Sequence, residues 1–182
     1  YIGEKPIVSS SPEEIISADR LVFPGVGAAR SAMDVLNAKG IGNAIAEVVK
    51  RDNPVLGICI GCQIILEESE EDGGVKTLGL LPGRAVRFQS EPGIKIPHMG
   101  WNQVHWTKEH ELFKGIPSGS EFYYVHSYHP SVPSEYAFAE TTYGMQTFQG
   151  VVGKRNLMAA QFHLEKSGEV GLQFLKNFCA WD

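Results

Sequence analysis

Apolar residues in this chain fall into short blocks set off by glycine, proline and charged positions, and the spacing inside the blocks changes along the sequence. Leu21-Val22-Phe23 and Val55-Leu56-Gly57-Ile58 are runs of strand length rich in branched side chains. Between them, from Ser31 to Lys50, Val35, Leu36, Ile45, Val48 and Val49 recur at near-helical spacing, and Gly40 and Gly42 are expected to break one helix from the next. A helix-compatible segment follows the second run from Gln63 to Glu68. The stretch from Val75 to Tyr143 is richer in Pro, Gly and aromatic residues and predicts β structure. A mostly apolar strand then ends at His163, and Val170, Phe174, Leu175 and Phe178 mark a final amphipathic helix. Strands alternating with helices predict an α/β fold, a three-layer sandwich with a largely parallel central sheet and its site at the carboxyl ends of the strands.

Candidate chemistry sits at the ends of these blocks. In Gly57-Ile58-Cys59-Ile60-Gly61-Cys62-Gln63 an apolar run delivers a cysteine between two glycines, as a sharp strand-to-helix turn that presents a nucleophile requires. A helix N-terminus beside the thiol is expected to lower its pKa. Two other readings stand beside this one: a small buried hydrophobe, and a Cys59-x-x-Cys62 dithiol or half of a zinc site. Zinc is disfavoured because the other cysteine, Cys179, lies alone in a helix-like tail. A nucleophilic cysteine needs a base and a group to orient it. His163 closes its strand, and Glu165 would share its face in extended chain. Pro24-Gly25-Val26-Gly27 is a strand opening into a glycine loop that can bring backbone N–H groups to a substrate carbonyl, with the amide of Ile60 as the second donor. Tyr123 to Tyr128 alternate as in a half-buried strand, whereas Pro97-His98-Met99-Gly100-Trp101-Asn102 resembles a surface loop more than a strand.

Taken in order, Pro24 to Gly27, Gly57 to Gln63, Pro97 to Asn102, Tyr123 to Tyr128 and Gln161 to Lys166 resemble the motifs of class I (triad) glutamine amidotransferases, most closely the histidine-biosynthetic members that supply ammonia to imidazole glycerol phosphate synthase. The resemblance runs from about Pro12 to the C-terminus and implies a flavodoxin-like sandwich. It implies a Cys59, His163, Glu165 triad, an oxyanion hole from the backbone amides of Val26 and Ile60, and glutamine contacts from Gly27, Gln63, Glu71, Tyr123 and Ser127. It implies a cyclase partner of (β/α)8-barrel type facing Met99, Trp101, Asn102 and Lys166, no cofactor, and no metal. It also implies an N-terminal strand and helix that this sequence lacks, so that residues 1–182 are expected to form one glutaminase domain, incomplete at its N-terminus. Leu164 stands where the family has proline, and Cys62 where it commonly has methionine, which raises a reversible Cys59–Cys62 disulfide under mild peroxide as a hypothesis. The alternatives are an amidotransferase subunit serving another synthase, a cysteine hydrolase of the same fold, and a binding module without catalysis.

Composition narrows the field. The 182 residues, 43% hydrophobic, suit one domain with a sizeable core. Sixteen basic against twenty-one acidic residues, a net charge of −5, argue against a general nucleic-acid surface. No apolar run reaches membrane-spanning length. Three cysteines, one a working thiol, fit a reducing cytoplasm better than a disulfide scaffold.

Overall fold

The computed structural model describes residues 2–181. The first third builds a parallel pair: β1 (Leu21–Gly25) and β2 (Val55–Cys59) lie side by side, with Leu21 opposite Val55 and Gly25 opposite Cys59. The crossover between them carries α2 (Ala29–Ala38) and α3 (Ile41–Lys50), preceded in the chain by the short α1 (Pro12–Ile16). The break between α2 and α3 falls at Gly40, left-handed at φ +68, a conformation that glycine adopts without strain. Gly42 does not break the helix as expected. It is buried inside α3, where a Cβ would come within 2.9 Å of Leu78 Cδ2, so its smallness serves packing.

Seven strands form the main sheet, in the order β1, β2, β11 (Leu157–Ala160), β10 (Gln146–Lys154), β9 (Ala137–Tyr143), β6 (His98–Trp106), β7 (Ser120–His126). The α/β sandwich matches the sequence expectation; its largely parallel sheet does not. Within this sheet parallel pairing is confined to β1, β2 and β11, and every pairing from β11 to β7 is antiparallel. Loop length explains this. Only Arg155 and Asn156 separate β10 from β11, and Gly144 and Met145 separate β9 from β10. Two residues close a hairpin and leave no room for the crossover that a parallel neighbour needs.

Both faces of the sheet are covered. β2 and β11 are buried at every position, as strands between two layers must be. Val55 packs on one face with Met33 and Leu36 of α2 and Ile45 and Val48 of α3. Leu56 and Ile58 pack on the other with Phe162 and with Phe174 and Phe178 of α5 (Gly168–Ala180). A second sheet joins β4 (Val75–Lys76), β3 (Glu68–Ser69), β5 (Arg84–Arg87) and β8 (Tyr128–Ser131) beside the end of β2. It shortens the expected helix after the cysteine: α4 is only Ile60–Ile64, and Glu68 is already in strand.

The segment Pro97 to Asn102, expected as a surface loop, is the start of β6. It pairs with β7 over seven positions, from His98 opposite His126 to Val104 opposite Ser120. Its Trp and Met mislead because they lie on the open side of a strand: His98 and Val104 are buried, while Met99 and Trp101 are 62% and 53% exposed.

Candidate functional site

The turn after β2 has the geometry that its two glycines allow. Cys59 sits at φ +55, a region that non-glycine residues occupy only when their surroundings impose it. The imposing contacts are backbone approaches. A Cβ on Gly61 would stand 2.2 Å from the Phe23 carbonyl oxygen, and one on Gly57 would stand 2.9 Å from the Gly61 carbonyl oxygen. A Cβ on Gly25, opposite Cys59 in the neighbouring strand, would stand 2.2 Å from Ile60 Cγ2. Each glycine lets α4 start directly over the ends of β1 and β2.

His163 lies just past β11. Its N–H donates to the Tyr123 carbonyl at 2.8 Å, and the Tyr123 N–H donates to Ser167 Oγ at 3.0 Å. His163 Nδ1 meets Glu165 Oε1 at 2.7 Å. That pairing was expected from strand alternation, but the chain turns instead: Leu164–Lys166 form one 3-10 turn, which brings Glu165 back over the ring. A carboxylate only accepts, so Nδ1 carries the hydrogen and Nε2 of the neutral ring is left as a base. Nε2 is buried with no hydrogen-bond partner among the described residues.

Cys59 and His163 line one cavity of about 280 Å³. That volume is near the lower end of the roughly 300–1,000 Å³ of small-molecule sites, so it suits a substrate of amino-acid size. Val26, Gly27, Ile60, Gln63, Glu71 and Ser127 also line it, joining six of the residues singled out in the sequence to Cys59 and His163. Tyr123 does not. Its backbone braces His163, and its ring lies outside the cavity, edge-on to Trp101 at 6.0 Å with the Lys166 ammonium 5.7 Å away. Pro97, Val125, His126 and Tyr128 complete the lining. The motifs around them were visible in the sequence, but which strand face points at the cavity was not. A larger groove of about 840 Å³, lined by Trp106 to Glu111 with Phe113 and Lys114, contains neither Cys59 nor His163.

The thiol differs from its expectation. Burial pushes the Cys59 pKa up to about 11, against the lowering by the Ile60 N–H and Lys166, while Glu165 adds to the rise. A single-turn helix contributes little to offset desolvation. At pH 7 roughly 10⁻⁴ of the population is thiolate, so a thiol acting as nucleophile would need a base, and His163 lines the same cavity with its Nε2 unpartnered among the described residues. Cys62 is fully buried, packed with Ile60 and Ile64, and burial raises its pKa further. These surroundings favour a packing role for Cys62 over the disulfide considered from the sequence.

Gln63 Nε2 donates to the Tyr128 carbonyl at 2.8 Å and to Gln161 Oε1 at 3.1 Å, which ties the wall of the cavity to β8. The same carbonyl takes a second bond, at 2.8 Å, from His126 Nδ1. Because a carbonyl cannot donate, the His126 tautomer follows, and with it that of the next ring. His98 Nδ1 donates to His126 Nε2 at 2.9 Å, and His98 Nε2 accepts from the Asn102 amide at 3.3 Å. The Asn102 amide nitrogen also reaches the Thr142 carbonyl at 2.9 Å, so this half-buried side chain, expected at a partner surface, also ties β6 to β9.

Burial holds the pKa of His98 down to about 4 and lowers those of His126, His129 and His110. In the unfolded chain these rings take a proton near pH 6.5, while the folded rings resist it until lower pH. The unfolded state therefore binds more protons in that window, and stability falls as pH drops from 6.5 toward 4. For His98, held near 4, the cost is expected to reach about 2 kcal/mol by pH 5, and the other three act in the same direction. Urea midpoints measured from pH 7.5 to 5 should fall steeply, and His98→Gln should show a shallower slope on a lower baseline. A flat profile would refute this account.

The family model described as glutamine amidotransferase class-I matches residues 6–180. A protein from Chromobacterium violaceum named imidazole glycerol phosphate synthase subunit HisH is 46% identical over 99% of this chain and 86% of its own length. Proteins of the same name from Synechococcus sp. (strain JA-3-3Ab) and Bacillus cereus (strain G9842) are 49% and 47% identical, over 97% and 98% of this chain and 82% and 84% of their own lengths. Among solved structures, one titled as a glutamine amidotransferase superposes with a TM-score of 0.69 at 16% identity, over 94% of this chain and 85% of that one. The glutaminase domain of a Trypanosoma brucei CTPS with bound acivicin gives 0.64 at 15% identity, over 94% and 75%. At these identities the structural matches speak for the fold.

Proposed function

The chain belongs to the class I glutamine amidotransferase family, in the branch of the HisH subunits, and we propose that it is the glutaminase subunit of an imidazole glycerol phosphate synthase. The observation that carries the reading is His163: Glu165 holds its Nδ1, and its Nε2 is buried without a partner among the described residues, in the cavity that Cys59 lines. This is the arrangement that a protonated, desolvated thiol requires in order to react.

In the proposed reaction His163 Nε2 takes the Cys59 proton as Sγ attacks the side-chain amide carbon of glutamine. The oxyanion is received by the backbone N–H groups of Val26 and Ile60. His163 returns the proton to the departing ammonia and leaves a glutamyl thioester. It then deprotonates a water that hydrolyses the thioester, releasing glutamate and restoring the thiol. Glu165 keeps the imidazole in the required tautomer and stabilises its charged form. Gly27, Gln63, Glu71 and Ser127 hold the glutamine, and no step calls for a metal or cofactor.

The ammonia goes to a cyclase subunit of (β/α)8-barrel, HisF-like type, which makes imidazole glycerol phosphate and aminoimidazole carboxamide ribotide. Exposed Met99 and Trp101, with Lys166 beside the Tyr123 ring, form an aromatic and cationic face suited to that partner. A cytoplasmic setting is proposed from the free thiols. Among the described residues no helix is long and apolar enough to cross a membrane.

Glutamine labelled with ¹⁵N in its amide, supplied to the complex with the cognate cyclase and its phosphoribosyl ligand, should deliver label into the imidazole product with one glutamate formed per transfer. Hydrolysis without incorporation would point to another synthase or to a simple cysteine hydrolase. No hydrolysis in the complex would overturn the reading.

A further inference from the structure

We propose that Glu71 is a positioning residue for the loop that carries the Val26 amide, acting through the N-terminus of α2, in addition to the glutamine contact expected of it. This rests on the glutaminase reading above. The loop from Val26 to Ala28 hangs between two anchors. At one end Gly25 is held opposite Cys59 by the pairing of β1 with β2. At the other, α2 begins at Ala29 with no side-chain cap from Ala28. The missing cap comes from across the chain: the Ala29 N–H donates to Glu71 Oε2 at 2.6 Å. Charge-assisted bonds of this kind, at the positive end of a helix, are among the stronger ones.

Glu71 is itself held. Its N–H donates to Ser69 Oγ at 3.2 Å, on a serine buried in β3, and the Gly74 N–H donates back to the Glu71 carbonyl at 3.0 Å. Arg30, one residue into α2, reaches the carbonyls of Asp72 and Gly74 at 3.0 and 3.2 Å, clasping the same turn. Between the anchors the loop has little support of its own. Val26 is 82% exposed, and Gly27 sits at φ +99 with open space around its Cβ direction. The direction of the Val26 N–H is therefore set by where its two ends are tied, and one tie is a carboxylate that lines the substrate cavity. A carboxylate has acceptor capacity for both the Ala29 N–H and the ammonium of a bound glutamine, so substrate binding and loop position share one group.

The test separates the cap from the charge. Glu71→Gln keeps an oxygen for Ala29 and loses the charge; Glu71→Ala loses both; Glu71→Asp keeps the charge and withdraws it by one methylene. Kinetics are measured in the complex with cyclase and its ligand, and amide exchange over residues 26–30 is measured on the same proteins. Glu71→Gln should raise KM for glutamine about tenfold or more, with kcat within about threefold and exchange close to wild type. Glu71→Ala should show a similar KM and a further loss of kcat of about tenfold, with exchange at Ala29 and its neighbours about fivefold faster or more. Should Glu71→Ala fail to fold, Glu71→Asp should still lower kcat more than it raises KM. Equal kcat in the Gln and Ala variants, or unchanged exchange in the Ala variant, overturns the proposal. If the wild-type complex fails to hydrolyse glutamine, the functional reading falls, while the exchange comparison still decides whether Glu71 holds the loop.

Discussion

Replacing Cys59 with alanine is expected to lower glutamine hydrolysis in the cyclase complex by about 10⁴-fold or more. The size of the effect follows from the chemistry in the cavity. Without Sγ there is no covalent intermediate, and His163 has only water to activate, on a substrate held for attack from the thiol side. The cavity walls do not depend on that sulfur, so glutamine should still bind, with affinity within about fivefold of wild type by calorimetry. The pair of results matters: hydrolysis lost with binding kept identifies Cys59 as the nucleophile. Residual activity above one part in a hundred would mean that the reaction does not pass through this thiol. Loss of binding as well would mean that the change disturbed the turn.

Gly61→Ala should damage both fold and activity through a single contact. Its Cβ would lie 2.2 Å from the Phe23 carbonyl oxygen, and that atom belongs to the backbone of β1, which cannot rotate out of the way. Relief requires α4 to lift from the sheet or β1 to slide against β2. Overpacking of this kind costs about 1–3 kcal/mol where side chains can give, and a backbone obstacle places the expected loss at the top of that range. Urea denaturation measures it. Because Cys59 is the residue before α4, lifting the helix also moves the thiol away from His163, and kcat should fall by about 10²-fold in whatever protein remains folded. Gly57→Ala is the internal comparison, since its Cβ would meet the Gly61 carbonyl oxygen at 2.9 Å and Ala159 at 3.1 Å. The larger loss should fall on Gly61. The reverse order would contradict the claim that close approach of α4 to β1 shapes the elbow.

How much of the site could be seen in the sequence depends on how local its parts are. The elbow was legible because the strand, the glycines and the cysteine lie within seven residues, although only the approach of Gly57 to the Gly61 carbonyl occurs inside that span and the tighter one, Gly61 to the Phe23 carbonyl, comes from β1. The His163–Glu165 pair was legible by its spacing of two, although the geometry that delivers it is a 3-10 turn and not an extended strand. Trp101 and Met99 were placed in a surface loop, with a buried Trp101 nearly as well supported, whereas both are exposed on a strand. A lone alternating strand flanked by Pro and Gly looks like a loop until its partner is known, and the partner β7 lies twenty residues or so further on. The parallel sheet was over-extended for a related reason: apolar runs announce strands but carry no mark of direction, which two-residue loops at Gly144 and Arg155 decide.

By itself the sequence determined the α/β class, the elbow at Cys59, the pairing of His163 with Glu165 that is proposed as base and orienting carboxylate, and the family in which these occur together. Each is a pattern of residue types at short range, and short-range backbone geometry follows from residue type. The tertiary structure alone decided the state of the thiol, raised to about 11 by burial where the helix end had suggested a lowering. It alone joined His98 to His126, placed the Tyr123 ring outside the cavity, and set Glu71 on the N–H of Ala29 across forty-two positions of chain. Desolvation and long-range hydrogen bonds depend on what packs against a residue from distant parts of the chain, and no local pattern carries that information.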